Sequence, residues 1–169
     1  MATRLQTPER GTDPYERDYY AWTQAQAVAL RRLRQQEAET ALDLAHLAEE
    51  VGHLGRSERD AVRTQVRRII EHLLKLEYAQ ARDGCKDTAA DARAVLDDKL
   101  SASLRRDLEA VWPGLYAQVR PKVERALRRF EEPDAAAALP ADCPYDLDDL
   151  CRPEWYPANR RGIANGATP

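Results

Sequence analysis

His46, Glu49, Glu50 and His53 stand at i, i+3, i+4 and i+7, a spacing that brings four side chains within mutual reach along one side of a helix. Neutral imidazoles and carboxylates are ligands that zinc or iron accepts. Glu50-x-x-His53 also has the Glu-x-x-His spacing of di-iron bundles, but those sites need a second such motif and two further glutamates on facing helices. No second motif faces this one, so a solvated helix face is the competing expectation. His72 differs because it lies between Ile69 and Leu76, near an apolar stripe. There it is expected to be partly buried and hydrogen-bonded to Glu49, Glu50 or Tyr19, and acid–base work by Glu49, Glu50 and His72 would need a cleft to act in. Arg56, Arg59, Arg63 and Arg67 form a basic ridge on the same segment, with Arg68 close by. The ridge could engage phosphates or an acidic protein. Glu58, Asp60 and Glu71 interrupt it, so salt bridging within the chain competes with that reading. Gly52-x-x-Gly55 lacks the strand and the lysine-serine pair of a phosphate loop and is expected to permit close helix approach or a kink. Serine nucleophiles are limited to Ser57, Ser101 and Ser103, none in a Gly-x-Ser-x-Gly elbow.

The elements that must position these residues read as helices throughout. Asp13-Pro14 has the form of an N-cap followed by proline at the first helical position. A first helix is expected from there to about Gln36, with Tyr15, Tyr19, Trp22, Ala25, Ala29 and Leu33 as its packed stripe. A second helix carries Leu44, Leu47, Val51, Leu54, Ala61, Val62, Val66, Ile69, Leu73 and Leu76. The GRSERD insert interrupts that stripe, and Ser57 could cap a new helix there, so a break or kink is expected near Gly55. Asp87 or Thr88 should cap a third helix, with Val95, Leu96, Leu100, Leu104, Leu108 and Val111 inside, ended or redirected by Pro113-Gly114. Leu115, Tyr116, Val119, Val123, Leu127 and Phe130 make the last long stripe, which Pro121 should kink or shorten. From about Pro133 the chain becomes an acidic, proline-rich tail with at most a short helical turn at Asp146–Cys151. Tyr145, Leu147, Leu150, Trp155 and Tyr156 are too many apolar groups for a free tail, so it should lie against the helices and neutralise the basic segment Arg120–Arg129.

Composition agrees. The 169 residues are 43% hydrophobic and 33% charged with only 7 glycines, the balance of a helix-rich globular chain. No strand-like alternation is present. The fold expected is all-α, a single helical bundle of about four or five helices with a kinked long second helix and an extended C-terminal tail packed on it. Residues 1–13 and 158–169 are expected to be flexible ends around a domain at 14–157. A net charge of −3 argues against a dedicated nucleic-acid binder. Cys85, Cys143 and Cys151 are odd in number and lack a Cys-x-x-Cys pair, which points to reduced thiols rather than a disulfide framework or a structural zinc. No apolar run approaches the roughly 20 residues of a membrane span, and the N-terminal residues lack the apolar core of a secretion signal. A cytoplasmic protein is the expectation.

Four segments taken together, YERDYYAWTQAQAVALRR, LAEEVGHLGRSERDAV, HLLKLEYA and LPADCPYDLDDLCRPEWYP, resemble the domain of unknown function 29 family of bacterial helical proteins. Their order and spacing extend from about Tyr15 to Pro157. The family pattern falls on Tyr19, Trp22, Glu49, Glu50, Leu54, Gly55, Arg56, Glu58, His72, Lys75, Pro144 and Tyr145. His46 and His53 sit where the family is expected to vary, and Leu76-Glu77 stands where it often has an aromatic. The resemblance implies a compact helical domain with a packed tail, and it carries no established activity, cofactor or partner. The functional expectation is a protein–protein interaction or assembly module that binds another protein or itself, without a cofactor. The alternatives are a metal-dependent or acid–base enzyme using Glu49, Glu50, His53 and His72, and nucleic-acid binding through the arginine ridge.

Overall fold

The computed structural model of the protein describes residues 13–36 and 40–162. Among these residues there are seven helices and no strand: α1 (Pro14–Arg17), α2 (Tyr19–Gln35), α3 (Leu44–Tyr78), α4 (Cys85–Lys99), α5 (Ala102–Arg129), α6 (Pro133–Ala137) and α7 (Leu147–Cys151). The chain divides into two compact units. The first reaches to Asp60 and takes in Ser101–Arg106, and the second comprises Ala61–Leu100 and the chain from Asp107 onward. The ends expected to be flexible fall outside the described residues at 1–12 and 163–169.

In the first unit, Asp13 caps α1 by accepting from the Tyr15 N–H at 2.9 Å, with Pro14 at the first helical position. The first helix nevertheless stops after one turn. Asp18 leaves the helical region at φ −153° and its carboxylate caps α2 through the Ala21 N–H at 3.0 Å. The same carboxylate accepts from the Ser103 N–H at 3.0 Å and from the hydroxyls of Ser101 and Ser103 at 2.9 and 2.6 Å. One side chain thereby satisfies orphan donors at the starts of both α2 and α5. Partial burial pushes the Asp18 carboxyl up, but the hydrogen bonds from Ser103, Ala21 and Ser101 outweigh it and hold its pKa below the ordinary value.

The buried face of α2 is Thr23 and Ala27, not the Tyr19–Trp22–Ala29–Leu33 stripe that periodicity singles out. The reason lies in α3. A Cβ added at Gly55 would sit 2.2 Å from Thr23 Oγ1, and one at Gly52 would sit 3.9 Å from the Ala27 Cβ. The two helices therefore run antiparallel, with backbones close enough that only small residues fit between them. The expected break near Gly55 is absent: α3 is continuous through GRSERD and Ser57 stays within it. Gly55 serves close approach, not a turn. Asp43 starts this helix, accepting from the His46 N–H at 3.1 Å.

The second unit holds the densest core. Val62, Val66, Ile69, Ile70, Leu73 and Leu74 of α3 are fully buried, as are Leu108 and Val123 of α5 and Leu150 of α7. α4 is capped earlier than at either Asp87 or Thr88, by Gly84 at φ +68°. It ends at Leu100, where the backbone turns extended. Ser101 then accepts from the Leu104 N–H at 3.4 Å, so the expected single helix to Val111 is two helices. Pro113 and Pro121 do not end α5, which runs through both. Each proline is exposed, as are Glu109 and Ala117, whose carbonyls lose their helical donors and face solvent instead.

The C-terminal tail packs as expected, although by a different chemistry. Arg93, buried at 5% exposure, donates to the carbonyls of Leu150, Pro153 and Asp149 at 2.9, 3.1 and 3.4 Å and lies 4.9 Å from the Tyr156 ring centroid. Arg120 and the Tyr116 hydroxyl both reach the Pro140 carbonyl, at 2.9 and 2.7 Å. Pairing of the basic segment does not come from the tail: Lys122 pairs with Glu71 of α3 at 2.6 Å and Arg128 with Glu124 of the segment itself at 2.9 Å. Guanidinium-to-carbonyl bonds thus hold the tail where carboxylates were expected to. Packing continues beyond Pro157. Asn159 is buried, donating to the carbonyls of Leu76 and Ala79 at 2.8 and 3.0 Å, and the Arg160 N–H reaches the Glu77 carbonyl at 2.9 Å. α7 forms where the short turn was expected, with Asp146 and Asp149 making a reciprocal capping box.

Candidate functional site: an arginine-lined cleft and an open apolar edge

The histidine and carboxylate cluster does not assemble. His46 Nδ1 lies against the second oxygen of Asp43, the residue that caps α3. That pairing raises the His46 pKa and lowers that of Asp43, so the histidine is spent on the helix start. Glu50 and His53 are exposed. Among the described residues no group of three His, Cys, Asp or Glu side chains is placed to hold a metal ion. Glu49 and Glu50 lie roughly six turns before His72 on α3, so neither is its neighbour on the helix.

His72 is half-buried, and its Nδ1 is buried without a hydrogen-bond partner. Burial lowers its pKa, and Lys75 adds to the effect. Beside it, Glu71 bridges Lys75 at 2.7 Å and Lys122 at 2.6 Å. Burial pushes the Glu71 carboxyl up, but Lys122 and Lys75 outweigh it and hold the pKa below the ordinary 4.5. Because the folded value is depressed, the stabilisation by this triad is present above the unfolded pKa and is lost as pH falls through the folded one. Lowering of the His72 pKa has the same sign, starting from 6.5. Glu71→Gln is therefore expected to destabilise the protein at neutral pH and to match the wild type in strong acid, as measured by urea unfolding across pH. A gap independent of pH would contradict this.

The arginine ridge is largely engaged within the chain. Arg63 makes a bidentate pair with Asp107 at 2.9 and 2.7 Å, Arg67 donates to Gln118 at 2.7 Å and to Thr64 at 3.0 Å, and Arg59 pairs with Asp60 at 3.1 Å. Arg56 alone of the four joins a different set. It lines a cleft of about 370 Å³ with Arg31 and Arg34 of α2 and with Leu44, Ala45, Ala48 and Glu49 of α3. A Cβ built on Gly52 would be 3.2 Å from Arg56 Nη1 and 3.7 Å from Arg31 Nη2, so two guanidinium groups converge over a position that has no side chain. Among the described residues no carboxylate pairs with Arg31, Arg34 or Arg56. Sequence reasoning passed over Arg31 and Arg34. The signal was present: Arg31 has no acidic residue three or four positions away, and the acid four positions beyond Arg56 is Asp60, which Arg59 takes.

The opposite edge of the α2–α3 pair is apolar. Arg31 and Arg56 mark one side of the line along which Thr23, Ala27, Gly52 and Gly55 meet. By helical spacing, Trp22 and Leu33 on α2 and Leu47, Val51 and Leu54 on α3 fall on the other side. Leu33 is 41% exposed, Leu47 39% and Leu54 51%. Trp22 extends the row through an aromatic cluster, its ring centroid 4.8 Å from that of Tyr15 and 6.0 Å from that of Tyr19. Of the residues periodicity marked as core in this unit, Leu44 is buried, whereas Leu33, Leu47 and Leu54 form accessible apolar surface.

These features define an all-helical protein whose second unit is closed by its own tail and whose first unit leaves both edges of a helix pair open. The model of the family described as domain of unknown function DUF29 matches residues 14–156. The chain belongs to that family. The fold also resembles that of a crystal structure of an alpha-helical protein of unknown function from Rhodospirillum rubrum ATCC 11170, with 24% identity and a TM-score of 0.72 over 84% of this chain and 91% of that one. No curated protein matches. Among the described residues no helix is long and apolar enough to cross a membrane.

Proposed function

We propose that the protein is a cytoplasmic protein–protein interaction module, and that it docks a partner on the apolar edge of the α2–α3 pair. The observation that carries the reading is the pairing of Trp22 and Leu33 with Leu47, Val51 and Leu54 on one side of two tightly packed helices. Two neighbouring rows of apolar side chains form ridges with a groove between them, the shape that accepts the apolar face of a third helix. Burying half-exposed leucines of this kind contributes on the order of 1 kcal/mol each. The occupant proposed is therefore an amphipathic helix of another protein.

The Leu47→Ser, Leu54→Ser double variant tests this. Because both side chains are about half exposed, its unfolding free energy should stay within about 2 kcal/mol of the wild type, while a partner retained by the wild type in affinity capture is lost. A wild-type dimer split by the variant would make a second copy of this chain the occupant. If size exclusion, crosslinking and affinity capture all return a lone monomer, the reading fails.

A further inference from the structure

We propose that the cleft lined by Arg31, Arg34 and Arg56 is a binding site for a small soluble phosphomonoester. Among the described residues that line the opening, three are arginines and one, Glu49, is a carboxylate, so their charge is net positive. A Cβ built on Gly52 would lie 3.2 Å from Arg56 Nη1 and 3.7 Å from Arg31 Nη2, so both guanidinium tips border one point on the helix surface, where an anion would be within reach of each. Planar guanidinium forks pair with oxyanions through two parallel N–H···O bonds. A carboxylate offers two oxygens and one charge, whereas a phosphomonoester offers three terminal oxygens and close to two charges, enough to be shared among arginines arriving from two helices. The volume of about 370 Å³ exceeds the needs of phosphate alone and falls in the range of small-molecule pockets. The remaining lining explains what the extra space holds. Leu44 and Ala48 are buried side chains at its floor, suited to a compact carbon body, and Glu49 can accept a hydrogen bond from a ligand hydroxyl.

Gly52 has a defined part in this site. A methyl group there would meet the Arg56 guanidinium at 3.2 Å, so a side chain at this position would push the Arg56 tip aside. The cleft shares no residue with the apolar edge, and either can fail without the other.

The test is calorimetric titration of the full chain with phenyl phosphate, benzoate and phenol in phosphate-free buffer of low ionic strength. The expected result is one saturable site for phenyl phosphate, at least about tenfold tighter than for benzoate, weakened by added salt and absent for phenol. Arg31→Gln with Arg56→Gln should lower the affinity at least about tenfold while leaving the circular dichroism spectrum and unfolding midpoint unchanged. Gly52→Ala should weaken binding by displacing the Arg56 tip. Equal affinity for benzoate, no saturable heat with phenyl phosphate, or full affinity in the double arginine variant would each overturn the assignment.

Discussion

Glu77→Leu is expected to lower the free energy of unfolding by about 2–3 kcal/mol. Glu77 is 8% exposed, and its carboxylate accepts from the Tyr145 hydroxyl at 2.7 Å and from Arg160 Nε at 2.8 Å. Burial, reinforced by that carboxylate, drives the Tyr145 pKa far above its ordinary value, so the phenol keeps its proton and acts as donor. Removing the acceptor strands a buried hydroxyl at full desolvation cost, whereas Arg160, whose side chain is 60% exposed, simply rehydrates. The two losses therefore differ in kind. Tyr145→Phe in the Glu77→Leu background should recover much of the deficit, because removing both partners costs less than removing one. Urea unfolding of the single and double variants measures this, and simple additivity would contradict it.

Gly55→Ala is expected to destabilise the protein by about 1–3 kcal/mol through overpacking, even though alanine is the better helix former by about 1 kcal/mol. The new methyl would lie 2.2 Å from Thr23 Oγ1, 2.7 Å from Gln24 Nε2 and 3.2 Å from the Thr23 Cβ. Gln24 can swing away, but Thr23 is fully buried and its hydroxyl is held by the Tyr20 carbonyl at 2.7 Å. The helices must therefore separate. Gly52→Ala should behave oppositely, because its nearest contact is the tip of an arginine, leaving the propensity gain largely intact. Thermal unfolding of the two variants side by side distinguishes them. Equal midpoints would show that Gly55 is not a packing residue.

How much could be read in advance varies along the chain for physical reasons. The stripe from Val62 to Leu76 was legible because several neighbours cover that stretch and burial follows the 3.6-residue period. Asp146 as the start of α7 was legible because a capping box is local. The rearranged boundaries depend on partners distant in sequence. Asp18 breaks the first helix to serve Ser101 and Ser103, and nothing near Asp18 announces them. Pro113 looked like the end of a helix and Pro121 like a kink or a later start because proline costs a helix a donor, yet α5 runs through both and on an exposed face solvent replaces that donor. In the first unit the strongest apolar stripes misled. α2 and α3 meet through Thr23, Ala27, Gly52 and Gly55, residues that a search for large hydrophobics ignores, and this leaves Leu33, Leu47 and Leu54 half exposed. The candidate site was missed for a similar reason. Spacing on α3 gathered Arg56 with Arg59, Arg63 and Arg67, whereas the structure separates it from them and joins it to Arg31 and Arg34.

Leu54 stands at the centre of the functional account, since it is the most exposed leucine of the proposed docking edge. A photo-crosslinking amino acid placed there, with Ala90 on the exposed face of α4 as the comparison, tests the account most directly in native cells. Irradiation should give one discrete protein adduct from position 54 that disappears when Leu47 is replaced by serine, and none from position 90. A smear of adducts equal at both positions, or no adduct at either, would contradict the claim that this edge is built to bind a partner.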